Sequence, residues 1–173
     1  VCRSYPAGTT YQEIARQVQP DYAQEILLVE RDGKLCELCK RLDRDCQLRM
    51  LTMQDKPGAQ TYERSAIFLL LKAFYDVVGR EQLGRVTVEY SLSHALYIQV
   101  SGDLLLDQPL LDRVEARMRD LSAQAVPIEK HALPTDDAIA LFEAQKLHDK
   151  AKLLSCRISS RVNYYALEDF SDY

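Results

Sequence analysis

The sequence has 173 residues and a formal net charge of −4, from 22 Lys and Arg against 26 Asp and Glu. This length fits one large or two small domains, and the charge argues against a broad nucleic-acid-binding surface while leaving a local basic patch open. The longest apolar run, residues 66–71, is far too short to span a bilayer. The chain lacks both an initiator Met and a signal-peptide segment, so we expect a processed product or fragment. Its five cysteines favour the reducing cytoplasm.

The first third of the chain mixes helix and strand signals. Thr10 and Glu13 have capping-box spacing, which predicts a short helix that ends before Pro20. Strands are expected over residues 25–30, 34–38 and 47–53. Asp32-Gly33 predicts a two-residue hairpin between the first two of them. The short polar segment 55–59, with its Pro-Gly pair, is the predicted domain boundary.

The remaining two thirds predict an α+β pattern. Apolar residues at helical spacing predict a long helix over 61–78, with Leu70, Leu71 and Phe74 buried. Further helices are expected over 110–121 and 134–145, and strands over 85–90, 96–100, 126–130 and 162–167. Adjacent strands are expected to pair antiparallel.

The cysteines are the first candidates for chemistry. Cys36 and Cys39 form a C-x-x-C pair and Cys46 follows seven residues after the second, which leaves a zinc site or a redox pair open. A structural zinc ion needs four ligands, and neither a histidine nor a further cysteine lies nearby in the sequence. We therefore expect small buried thiols and no bound metal.

Other motifs are weak. Gly79 and Gly84 have phosphate-loop spacing, but Arg85 and Val86 stand where Lys and Ser or Thr would bind phosphate, so a turn is expected. Asp136-Asp137 fits an ordinary helix N-terminus. The three histidines are isolated and are expected on the surface or at caps: His94 in a hairpin turn, His131 and His148.

Tyrosine is conspicuous, with ten in the chain, including Tyr164 and Tyr165 near its end. Aromatic side chains stack on unpaired bases, so an RNA-stacking role is one interpretation. Ordinary packing of aromatic residues on strands is the other, and the more common.

The segment Tyr5-Pro6-Ala7-Gly8-Thr9-Thr10, followed by Glu13-Ile14-Ala15, resembles the TGS domain. This small β-grasp module occurs in threonyl-tRNA synthetases, certain GTPases and stringent-response enzymes. The hairpin at 32–33 and the strand near residue 53 fall where that fold requires them, whereas its usual first strand would precede Val1. The resemblance implies an incomplete β-grasp domain over residues 1–57.

The rest of the chain resembles the second N-terminal domain of threonyl-tRNA synthetase, which edits misacylated tRNA and is shared in part with alanyl-tRNA synthetase. The similarity is carried by residues 65–70, 114–118, 126–130 and 138–142. It implies an editing-like domain over 58–173, with an antiparallel sheet and a long helix. The family's H-x-x-x-H pair falls on Arg64 and Phe68, and its Cys and His would come at or beyond residue 171. We therefore expect a vestigial editing cleft at Arg64 and Phe68, without catalytic residues.

A TGS-like domain followed by an editing-like domain without its histidines also resembles the N-terminal half of bacterial nucleoside kinases similar to uridine kinase. On this leading hypothesis the chain is a non-catalytic accessory or regulatory region without a cofactor, and ATP and Mg²⁺ bind only to a downstream kinase domain. The alternative is a tRNA-binding or aminoacyl-tRNA editing fragment related to threonyl-tRNA synthetase. The expected partners are a nucleotide or RNA, that kinase domain and a second copy of the chain, but no membrane.

Overall fold

The computed structural model describes residues 2–93 and 95–172, apart from the side chain of Leu92. The backbone divides into two compact units, Val1–Ile67 and Phe68–Tyr173. This division falls inside a helix, later than residue 57, where the sequence analysis set the domain boundary, and that assignment stays a prediction. His94, expected in a hairpin turn, lies outside the described residues.

The first unit has one helix packed on a small antiparallel sheet. Helix α1 (Tyr11–Val18) and a 3-10 turn (Gln19–Asp21) precede β1 (Leu28–Arg31), β2 (Lys34–Cys36) and β3 (Leu48–Leu51), which pair in the order β2-β1-β3. Ile14 and Val18 of α1 share a buried core with Val29 and Met50 of the sheet. This arrangement matches the incomplete β-grasp expected from the sequence.

Local sequence signals explain these elements. The hydroxyl of Thr10 accepts a hydrogen bond from the Glu13 amide at 3.2 Å, and the Glu13 carboxylate accepts one from the Thr10 amide at 2.7 Å. The predicted capping box is therefore confirmed. Asp32 and Gly33 have φ angles of 48° and 79°, the left-handed conformation that a tight two-residue hairpin turn requires.

Helix α2 (Lys56–Val78) begins earlier than predicted and contains the Pro-Gly pair of the predicted domain boundary. Pro57 lies in its first turn, where a missing amide hydrogen leaves no helical bond unmade. Gly58 lies against the carbonyl oxygen of Thr52, and a Cβ at this position would be only 2.0 Å from that oxygen. The helix therefore starts here because glycine permits the close approach of two backbone segments.

The second unit contains two antiparallel sheets and the C-terminal part of α2. In chain order its further elements are β4 (Leu83–Leu92), β5 (Ala95–Gly102), α3 (Gln108–Ala123), β6 (Glu129–Pro134), α4 (Thr135–Ala144), α5 (His148–Ser155), β7 (Arg161–Leu167) and β8 (Phe170–Asp172). Strands β4 and β5 form one sheet, and the other has the order β6-β7-β8. The α+β class with antiparallel sheets and a long helix is confirmed, whereas α5 and β8 were missed.

Two hydrophobic cores stabilise this unit. One joins Ala73 and Phe74 of α2 to Leu83 of β4 and Val114 of α3. The other joins α4, α5 and β7. Phe74 is buried as predicted, but Leu70 and Leu71 are only half-buried. Leu70 packs at the margin of the first core, so one of its sides remains accessible.

Candidate functional site

The two predicted site residues lie one turn apart on α2. Arg64 is exposed, and its side chain makes no hydrogen bond or ion pair with the described residues. Phe68 is half-buried, and its ring centroid lies 5.2 Å from that of Phe170 in β8. The ring of Phe170 also lies 5.3 Å from that of Tyr75. Phe68 therefore belongs to an aromatic cluster with Phe170 and Tyr75.

Lys72, one turn beyond Phe68, carries a buried charge. The residue is 2% exposed, and its ammonium lies 2.6 Å from the carboxylate of Asp76 on the same helix. It lies 2.6 Å from the carboxylate of Asp169 and 3.3 Å from that of Glu168, both in the turn between β7 and β8. Three carboxylates thus surround one ammonium, and their contacts compensate for the hydration that the ammonium loses on burial.

These contacts set the ionisation of the cluster. Burial by itself disfavours the charged amine, but the hydrogen bonds that it donates to Asp169 and Asp76 outweigh burial, so the pKa of Lys72 lies above its ordinary value. The hydrogen bond from Lys72 in turn holds the pKa of the Asp169 carboxyl below its usual range. Lys72 is therefore an ammonium at neutral pH, without the free electron pair that a base or nucleophile needs.

Two arginines complete the network. Arg117 of α3 donates from Nε to Asp76 at 2.8 Å and from its terminal nitrogen to Glu168 at 3.2 Å. Arg80 donates to the backbone carbonyls of Gln145 at 3.1 Å and Asp169 at 3.2 Å. The β7–β8 turn is thereby tied to α2 and α3, and the turn fixes Phe170 beside Phe68.

The sequence carried a partial signal for this network. Arg64, Phe68 and Lys72 follow one another at four-residue spacing on α2, and Asp76 continues the series. A lysine with a carboxylate one turn later, in a predominantly apolar helix, indicates a buried charge with a partner. The pairing with Asp169 had no local signal, because it joins residues 97 positions apart.

The expectation that the thiols of Cys36, Cys39 and Cys46 are buried was wrong. Cys36 and Cys46 are half-buried and Cys39 is exposed, because all three lie at the end of β2 or in loops around the core of the first unit. Partial burial and the neighbouring carboxylate of Glu37 raise the pKa of the Cys39 thiol. Within residues 2–93 and 95–172, no three His, Cys, Asp or Glu side chains are arranged to hold a metal ion.

The remaining candidates are separate from one another. His131 lies in β6, with its ring 5.3 Å from that of Tyr164, and His148 begins α5, where it contacts Glu143 of α4. Gly79 follows the end of α2 with a positive φ of 84°, which fits the turn expected in place of a phosphate loop. In the part of the chain that the structure describes, no helix has the length and apolarity needed to cross a membrane.

Known proteins that are similar in sequence to this chain include threonine–tRNA ligases. No family model matches the sequence. Threonine–tRNA ligase of Methylococcus capsulatus is 27% identical over 171 residues, which cover 98% of this chain and 26% of the ligase. Threonine–tRNA ligase of Francisella tularensis subsp. novicida is 23% identical over 170 residues, with the same coverage. The chain therefore spans about a quarter of the length of these curated relatives.

These relatives correct the leading hypothesis. The similarity covers nearly the whole chain and is to threonine–tRNA ligases, and nothing in the comparisons supports a uridine kinase or another nucleoside kinase. The nucleoside-kinase interpretation was therefore wrong, because the TGS-like and editing-like patterns on which it rested belong equally to threonyl-tRNA synthetases. The relatives give no support to a downstream kinase domain as partner either, and the expectation that ATP and Mg²⁺ bind only to such a domain stays a prediction.

Proposed function

We propose that this chain is a tRNA-binding module, related to threonine–tRNA ligases, that binds tRNA without hydrolysing an aminoacyl ester. The similarity over 98% of the chain to proteins named for their action on tRNA is the observation that carries this proposal. Such a module acts in the cytoplasm and needs no resident metal or cofactor.

The surroundings of Phe68 support a module without hydrolytic activity. Ester hydrolysis needs an activated water and a group that stabilises charge on the attacked carbonyl. Phe68 offers no proton-accepting group and packs on Phe170. The nearby ammonium of Lys72 is already engaged by Asp76 and Asp169. The low pKa of Asp169 also makes its carboxylate a weak base.

The exposed guanidinium of Arg64 supports binding to RNA. Its forked donors match the geometry of a phosphate, and no carboxylate among the described residues occupies them. Basic and acidic residues balance in the first unit, so the net charge of −4 lies on the second. We therefore expect tRNA to be held by a few local contacts, with an affinity that falls with salt in proportion to the small number of phosphates contacted.

Fluorescence anisotropy tests the proposal with an end-labelled threonine tRNA transcript, titrated with the protein at about 50 mM and about 200 mM salt. Saturable binding that weakens with salt, and that an equal mass of double-stranded DNA competes for poorly, is expected. The absence of saturable binding at the lower salt concentration would overturn the proposal.

A further inference from the structure

The β4–β5 sheet presents two different faces. Val86 and Val100, which pair across the strands, pack on the core formed with α2 and α3. Side chains alternate in direction along a strand, so the positions between them point away from that core. Along β5, half-buried and exposed residues accordingly alternate from Ala95 to Ser101.

Two tyrosines dominate the outward face. Tyr90 and Tyr97 are directly paired across the strands, with 52% and 46% of their surfaces exposed. Their ring centroids are 4.9 Å apart and the ring planes differ by 16°, so the rings are stacked. Each ring has one face against its neighbour. A planar group is thus able to extend the stack on the opposite side of either ring.

The positions beside the tyrosines carry hydrogen-bonding groups. Thr87 pairs with Gln99, and Arg85 with Ser101, on the same outward face. None of these paired positions carries a carboxylate, but the exposed Glu89 lies at the bulge directly before Tyr90. Arg85 makes an ion pair with Asp149 at 3.4 Å, but both side chains are exposed. Such a pair contributes little and does not prevent a phosphate from competing for the guanidinium.

We propose that this face binds unpaired nucleotides of RNA, with a base stacked on the Tyr90–Tyr97 pair. The side chains of Thr87 and Gln99 then lie within reach of base edges and ribose hydroxyls. The Arg85–Ser101 pair lies four β5 residues from the Tyr90–Tyr97 pair. At about 3.3 Å per residue this is about 13 Å, so Arg85 meets a phosphate about two nucleotides away. The choice of RNA as the ligand rests on the proposed function, whereas the stacked pair and its polar neighbours stand independently of it.

The test measures the binding of a fluorescently labelled, unstructured eight-nucleotide RNA. The Tyr90→Leu/Tyr97→Leu variant is expected to bind at least about fivefold more weakly than the wild type, because stacking contributes about 1–3 kcal/mol per base. The Tyr90→Phe/Tyr97→Phe variant keeps the rings and is expected to retain binding. Tyr62→Leu is the matched control, because Tyr62 is 54% exposed on α2. Circular dichroism and size-exclusion chromatography check the fold and the oligomeric state of each variant.

Equal affinity of the wild type and the leucine variant would overturn this inference, as would the absence of binding to the wild type. A change of oligomeric state without a change in RNA binding would instead identify the face as an interface between copies of the chain, and would also overturn it. Titration of intact tRNA separates the two proposals. If the wild type and the leucine variant bind tRNA equally well, the inference about the stacking face is wrong and the proposed function stands. If the wild type binds the eight-nucleotide RNA through the tyrosines but does not bind tRNA, the proposed function is wrong and the inference about the stacking face stands.

Discussion

The ammonium of Lys72 lies 2.6 Å from the carboxylate of Asp169, which comes 97 residues later in the chain. This ion pair connects the buried side of α2 to the turn between β7 and β8. Since Phe170 directly follows Asp169, the pair also fixes the ring that packs on Phe68. The resemblance to the editing domain predicts a histidine at the position of Phe68. Here the side chains around Phe68 form an aromatic and ionic cluster.

Replacement of Lys72 by methionine is expected to lower the free energy of unfolding by about 2 kcal/mol. The loss of the ammonium leaves Asp76, Glu168 and Asp169 facing one another, and removal of one partner from a fully buried pair costs about 3–5 kcal/mol. The smaller value applies because the Asp169 side chain is 76% exposed and regains water. Urea denaturation measures the change. The exposed Lys152→Met is the control, expected to stay within about 0.5 kcal/mol of the wild type. If Lys72→Met also changed the free energy of unfolding by less than about 0.5 kcal/mol, the stabilising role of the ion pairs around Lys72 would be contradicted.

The same ion pair gives stability a defined pH dependence. The pKa of Asp169 is lowered in the folded state, so its contribution is present above the unfolded value of about 3.9 and is lost as pH falls through the folded pKa. The pKa of Lys72 is raised, so its contribution is complete below about 10.4 and is lost only as pH rises through the folded pKa. Between these limits the pair contributes a constant stability.

Urea midpoints between pH 3 and pH 7 test this dependence. The Asp169→Asn variant is expected to lose less stability than the wild type as pH falls below about 4, because one carboxylate that prefers the charged form in the folded state is gone. Asp103→Asn removes an exposed carboxylate and serves as the matched control. If the urea midpoints of the wild type and of Asp169→Asn fell in parallel as the pH was lowered, the ion pair would make no such contribution.

Gly58→Ala is expected to destabilise the protein by about 2 kcal/mol. Alanine normally stabilises a helix by up to about 1 kcal/mol relative to glycine, so the sign of the change is diagnostic. A Cβ at this position would lie 2.0 Å from the backbone oxygen of Thr52, and the helix must shift to accept it. Chemical denaturation measures the effect beside Gln60→Ala, an exposed position on the same helix that is expected to be neutral or slightly stabilising. A stabilised Gly58→Ala protein would be inconsistent with this close approach.

Sequence reasoning succeeded where the signal was local. The capping box at Thr10, the Asp32-Gly33 hairpin and the amphipathic α1 each depend on residues a few positions apart. It failed at the start of α2, because Pro57-Gly58 is a typical turn signal and its accommodation depends on the backbone at Thr52. It also missed β8, whose three residues are too few for periodicity and are held by Lys72 through the preceding turn.

In the candidate functional site, too, sequence reasoning reached only the features that depend on residues close together in the chain. Arg64 and Phe68 were predicted as site residues from the resemblance to the editing motif, which stays a prediction, whereas the environment of Phe68 depends on residues about a hundred positions away. The choice between a kinase and a synthetase relative was not decided by residues 1–173. Both interpretations use the same two domain patterns, so comparison with known proteins was needed to separate them.

Arg64→Ala is expected to weaken tRNA binding about threefold to tenfold and to reduce the salt slope by about one unit, as loss of one phosphate contact predicts. Arg157→Ala removes an exposed arginine outside α2 and is the matched control. Anisotropy titrations at several salt concentrations give both quantities. An unchanged slope for Arg64→Ala would exclude a phosphate contact at this position.

The central claim is that the chain holds tRNA and leaves an aminoacyl ester intact. Its most direct test follows the serine ester of mischarged threonine tRNA in the presence of enough protein to bind all of the RNA, beside an active editing domain as a positive control. The account predicts that the RNA is bound and that the ester decays at the rate found in buffer alone. Release of serine at a rate comparable to that of the editing domain, lost in Arg64→Ala, would contradict it.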